Sequence, residues 1–88
     1  QIGFKGNYRD GKQDGFWEKF HVNGQLWSKG NYRDGKHVAF WEMYHINGQL
    51  MSKHRYNKDG NRDGTWEFFN FDGSSRLILN YKDGKLIE

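Results

Sequence analysis

A stretch of 24 residues occurs twice in succession and, more loosely, a third time, which restricts the chain to an architecture of stacked, near-identical units. Residues 6–29 read GNYRDGKQDGFWEKFHVNGQLWSK and residues 30–53 read GNYRDGKHVAFWEMYHINGQLMSK. Tyr8, Tyr32 and Tyr56 are each 24 residues apart, whereas Trp41 to Trp66 and Gly35 to Gly60 are 25 apart. The third copy therefore carries one extra residue within Asn57-Lys58-Asp59, just before its turn glycine. The units are 6–29, 30–53 and 54–78, with part-units 1–5 and 79–88 at either end of one repeat array. Repeat arrays usually carry atypical capping units, and the start shows no obvious cap. A segment of a longer protein, or a processed product, is expected.

The apolar content is low for a chain with a dry two-layer core: 34% of residues are hydrophobic, against a usual figure of about 45–50%. Yet 18% are aromatic, far too many for a disordered chain. A fold one sheet deep, its faces covered by rings of large area, reconciles the two values. With no Cys, disulfides and thiol chemistry are excluded. No apolar run approaches the roughly 18 residues of a membrane-spanning helix. The net charge of +3 is interleaved with acids and forms no basic run, so nucleic acid is not an expected partner.

Short aromatic and β-branched runs lie between Asp10-Gly11, Asn23-Gly24, Asp34-Gly35, Asn47-Gly48, Asp59-Gly60, Asp72-Gly73 and Asp83-Gly84. Asn-Gly and Asp-Gly are the strongest short-range hairpin signals. Strands are predicted at 3–9, 15–22, 25–33, 39–46, 49–57, 64–71 and 75–82, giving an all-β, single-layer antiparallel meander of tandem hairpins with a period of 24. A two-residue type I′ loop at Asn23-Gly24 would pair Trp17 with Gly30, Gly15 with Tyr32, Glu18 with Lys29 and Phe20 with Trp27. The second copy would pair Ala39 with Tyr56, Glu42 with Lys53 and Tyr44 with Met51, and the third Gly64 with Tyr81 and Glu67 with Ile78. Opposite charges and aromatic rings then face each other, pairs worth about 0.2–1 kcal/mol each. Because Ala39 stands where Gly15 and Gly64 stand, that position reads as a need for a small side chain and not for a special φ.

The pattern Gly-x-Tyr-x-Asp-Gly-Lys, Gly-x-Trp-x-x-Tyr/Phe, Asn-Gly-x-Leu resembles the MORN repeat, and more closely the MORN-variant repeats of bacterial YwqK-type antitoxin-like proteins. The resemblance covers the chain from Gln1 to Glu88, departing at Ala39, at His54 and at the extra residue near Lys58. It implies an elongated row of β-hairpins and a role in protein–protein or membrane-lipid contact. Choline-binding cell-wall repeats also string Gly, Trp and Tyr along hairpins, but their Trp-Tyr-Tyr clusters are missing here.

His21 and His45 are repeat-equivalent, lack Cys partners and have no helical His-x-x-x-His spacing, so they read as polar positions near turns and no metal or cofactor is expected. The aspartates belong to turns. Catalytic centres appear once, whereas Ser28 and Ser52 recur, and no enzyme is expected. The recurrent Tyr and Trp residues are expected to be the sheet's own packing. Trp27, replaced by Met51 and Arg76 in the other copies, is the leading binding candidate, paired with Phe20 and flanked by Lys29 and Arg9; Met51 and Tyr44, the equivalent pair of the second copy, are further candidates. The expected function is a non-catalytic interaction module that contacts a protein partner or itself; the alternative is a membrane-surface or cell-wall ligand binder using exposed rings and Lys or Arg.

Overall fold

The computed structural model describes residues 3–87. It is an all-β, single-layer sheet of eight antiparallel strands in meander order: β1 (Gly3–Arg9), β2 (Lys12–Phe20), β3 (Leu26–Arg33), β4 (Lys36–Tyr44), β5 (Leu50–Tyr56), β6 (Gly64–Phe69), β7 (Ser75–Lys82) and β8 (Lys85–Ile87). The slab measures 38 × 34 × 12 Å, one sheet and its side chains thick.

The strands are joined by two kinds of turn. Asp10-Gly11, Asp34-Gly35 and Asp83-Gly84 have both residues at positive φ, as a type I′ loop requires. Their strands resume at once, with Arg9 opposite Lys12 and Arg33 opposite Lys36, which is why β2 and β4 begin three residues earlier than expected. Asn23-Gly24 and Asn47-Gly48 differ: only the glycine is at positive φ. Gly24 N–H donates to the His21 carbonyl, and the Asn23 side chain accepts from Gln25 N–H. This is a longer turn followed by a bulge, so Phe20 faces Leu26 and Tyr44 faces Leu50, correcting the Phe20–Trp27 and Tyr44–Met51 pairs. The extra residue of the third copy converts its Asp-Gly loop into this longer turn, closed by Gly60 N–H on the Asn57 carbonyl.

Away from the turns the expected register holds: Trp17–Gly30, Gly15–Tyr32, Glu18–Lys29, Ala39–Tyr56, Glu42–Lys53, Gly64–Tyr81 and Glu67–Ile78 all face each other. The reading of the small-residue position was inverted. Gly15, Ala39 and Gly64 have φ of 81°, 60° and 85°, and a Cβ at Gly15 would meet nothing. The constraint there is backbone conformation. Space is the constraint at Gly6 and Gly30, where a Cβ would fall within 2.2 and 2.0 Å of the Trp17 and Trp41 rings.

These features are one device. Around Gly6 the ladder shifts register, so residues 15–17 stand opposite a single glycine, and the same shift surrounds Gly30. The positive-φ residue forms the bulge, and the bulge carries the Trp across the preceding strand. Each indole N–H then donates to that strand's backbone: Trp17 to the Asn7 carbonyl at 2.9 Å, Trp41 to Asn31 and Trp66 to Arg55, both at 3.0 Å. The three indoles and Tyr32 are the buried apolar side chains of the sheet. Tyr8, Tyr32, Tyr56 and Tyr81 stand edge-on or tilted between them at centroid distances of 4.9–6.0 Å.

Ala39→Gly should raise stability by about 0.5–1 kcal/mol in urea melts, because it relieves an L-residue held at positive φ. Gly30→Ala should cost about 1–3 kcal/mol or more, since the Trp41 ring must leave its seat. Equal effects of the two substitutions would contradict this division of roles.

Candidate functional site

Strand alternation gives the sheet two unlike faces. One carries the indoles of Trp17, Trp41 and Trp66 with Tyr8, Tyr32, Tyr56 and Tyr81. On the other, adjacent strands bring Lys5, Glu18, Lys29, Glu42, Lys53 and Glu67 into a single row across β1 to β6, each residue opposite the next. Charge alternates at every step, and at a strand spacing of about 4.8 Å the row spans roughly 24 Å. Lys29 Nζ closes to 3.4 Å from Glu42 Oε1 at its centre. The Tyr44 hydroxyl donates to the same oxygen at 2.7 Å. Burial, and then the Glu42 carboxylate, push the Tyr44 phenol up to about 12. The row ends at Ile78 on β7.

Two further rows flank the charges. On one side stand Phe16 and Phe40, 51% and 71% exposed, with Arg55 over the Phe40 ring at 5.6 Å. On the other side are Phe20, Leu26, Tyr44, Leu50 and Phe69, all half-buried. Phe16, Phe40, Lys29, Glu42, Lys53 and Glu67 line a trough of about 500 Å³.

The candidates named from sequence do not form one patch. Phe20, Lys29 and Tyr44 lie on this ladder face. Trp27, unpaired at the bulge, instead lines a pocket of about 120 Å³ with Lys19, Ser28, His37, Trp41 and Met43. It is half-buried, 5.7 Å from the His21 ring. Met51 occupies the matching bulge opposite Met43 and Tyr44. Arg9 is exposed at the first turn. Phe16 and Phe40 were overlooked, although the signal was present: in Phe-Trp-Glu, neighbours in a strand point to opposite faces, so an indole packed on one side sends the Phe to the other.

The histidines have structural partners. His21 Nε2 bonds the Tyr44 carbonyl at 2.8 Å and His45 Nε2 the Phe69 carbonyl at 3.1 Å, knitting each turn to the next. A carbonyl only accepts, so Nε2 carries the proton in both. Asn23 and Asn47 reach across in the same way to Ile46 and Phe71. His54 takes the place of Gly30 in the third unit and stacks on Trp66 at 4.2 Å and 9°. Its Nε2 has no hydrogen-bond partner among the described residues. Burial, then Arg62 and His37, push its pKa down from 6.5 to about 4. His37, packed between Tyr32, Trp41 and Tyr56, is lowered by burial and then by Lys19.

No protein-family model matches the chain, and no curated protein matches it significantly.

Two outcomes follow from this geometry. The fold holds His54 neutral while the unfolded chain takes up a proton, so the His54 contribution lowers stability as pH drops from 6.5 towards about 4 and adds no further loss below that. His54→Phe should make urea midpoints less sensitive to pH over that window, while His37, also lowered, keeps a dependence of the same sign. In the charge row, Glu18→Lys should cost several tenths of a kcal/mol. Adding Lys29→Glu restores one facing pair, but it leaves Lys5 facing a lysine at position 18 and Glu42 facing a glutamate at position 29. The double variant should therefore remain at least as unstable as Glu18→Lys alone. Recovery to wild-type stability would mean that the charges act as isolated hairpin pairs.

Proposed function

We propose that the chain is a non-catalytic β-repeat interaction module that engages a protein partner through its ladder face. The observation that carries this reading is the pair of exposed rings, Phe16 and Phe40, beside a row of six alternating charges on a flat sheet. Both rings are exposed, whereas the buried indoles lie on the opposite face. Aromatic anchors set among charged neighbours are the composition of an energetically focused protein interface. The repeat pattern's resemblance to MORN-variant arrays supports the same role.

A membrane-surface or ligand-binding reading has one observation in its favour. The turn tips present Val22, Ile46 and Phe71, one per hairpin and 63%, 46% and 56% exposed, in a row along one end of the sheet.

Phe40→Ser should leave stability within about 0.5 kcal/mol of wild type. It should weaken association by about 1 kcal/mol or more, read as the loss of species cross-linked to the tagged protein in native extract. Wild-type cross-linking that is indifferent to Phe40→Ser overturns the ladder-face reading. Binding to anionic vesicles that falls steeply with salt and is also indifferent to this substitution would favour the turn-tip reading.

A further inference from the structure

The charge row has an even number of members and alternates strictly, which makes it complementary to its own reverse. A two-fold axis lying between two ladder faces, parallel to the strands and midway between β3 and β4, reverses the strand order of one copy over the other. Lys5 then meets Glu67 of the second copy, Glu18 meets its Lys53, and Lys29 meets its Glu42. All six charges are matched at once. We propose that the occupant of the ladder face is a second copy of this chain, docked face to face about that axis. The proposal rests on the ladder-face reading above and specifies its partner.

The flanking rows test the geometry independently, because the charges alone select the axis. Phe16 and Phe40 sit on β2 and β4, so the same rotation sets them over Arg55 and Asn31 of the second copy. No ring is forced onto a ring, and Phe16 gains a guanidinium of the kind that already covers Phe40 at 5.6 Å within one chain. In the apolar row Phe20 meets Leu50, Leu26 meets Tyr44, and Phe69 meets Gly3, so each contact in that row is apolar. Every contact is made twice, as an isologous interface requires.

The dimensions suit the arrangement. Facing sheets pack about 10 Å apart, a gap that opposed Lys and Glu side chains fill. Aligned sheets cross at about 30°, so the central Lys29–Glu42 contacts align better than those at the ends. A face of 38 × 34 Å supplies the area needed, since a standard interface takes about 800 Å² from each partner. The indole face exposes Phe4 and Tyr8 at its β1 end but carries no comparable row of alternating charges among the described residues.

The test is sedimentation equilibrium of the full chain across a concentration series, with near-ultraviolet circular dichroism to establish that each variant is folded. Wild type should be a dimer. Glu18→Lys alone sets two Lys–Lys contacts across the axis, and Lys53→Glu alone sets two Glu–Glu contacts. Each variant should dissociate at roughly tenfold higher concentration than wild type. Mixed together, they form a heterodimer in which every charge is again matched, and association should return. Phe40→Asp provides a second route, since its exposed site leaves the fold intact while the dimer is lost. A wild type that stays monomeric overturns the proposal, as do dimers insensitive to either swap, or swap variants that stay apart on mixing. A monomeric purified protein that still forms Phe40-dependent cross-links in extract would overturn the second-copy assignment and leave the interaction reading standing. Loss of both would overturn both.

Discussion

The sheet depends on an indole laid across the neighbouring strand. A single-layer sheet has no second layer to bury its side chains, so its apolar groups must be covered by one another and by the backbone beneath them. Trp17, Trp41 and Trp66 do this by crossing to the preceding strand and hydrogen-bonding its carbonyls. Three requirements meet at Trp17 and Trp41: a bulge to aim the ring, a bare glycine to receive it, and a carbonyl for its N–H. Tyr32 then stands edge-on between Trp17 and Trp41, His37 and Tyr56 link Trp41 to Trp66, and Tyr8 and Tyr81 close the two ends of the aromatic band. Buried area dominates this balance, and the hydrogen bond chiefly avoids the cost of burying an unpaired indole N–H.

The same arrangement makes the two faces unequal. Residues next to each indole point away from the packed side, so the opposite face receives Phe16, Phe40 and the charged row. Alternation of Lys and Glu within each unit becomes alternation across the whole sheet, because every strand meets its two neighbours at equivalent heights. Unlike charges therefore flank each interior member of the row. Such exposed charges stabilise little individually, and their larger effect is to restrict what can dock against the face.

The third unit bends these rules without breaking the fold. His54 replaces the glycine seat, and Trp66 stacks on its ring instead of lying over bare backbone. Arg62, brought close by the longer turn, covers the Trp66 and Tyr81 rings at 4.9 and 5.4 Å and donates to the Tyr81 hydroxyl. On β7 the corresponding seat is Leu79, opposite Trp66, and Ile78 takes the place of the next charge. Both the indole seat and the charge row thus stop at this strand.

Periodicity, turn dipeptides and the spacing of Trp and Tyr determined the meander, the order of its strands and the register at the middle of each hairpin. These depend on local chemistry and on the two-residue period of a strand, both of which are written along the chain. Turn type was not decided there, because Asn-Gly suits either a two-residue loop or a longer turn. The folded backbone shows the longer turn, closed by Gly24 N–H on the His21 carbonyl and Gln25 N–H on the Asn23 side chain, and the same bonds recur at Asp72-Gly73. The two classes of small residue were also indistinguishable in sequence. Glycine at 15 and glycine at 30 look alike until the fold shows which one bears a positive φ and which one lies beneath a ring. The charge row was half legible, as the Glu18–Lys29 and Glu42–Lys53 hairpin pairs. Only the pairing of each hairpin with the next joined them into one row, because the register between units is set by where each indole comes to rest, and that is a tertiary contact.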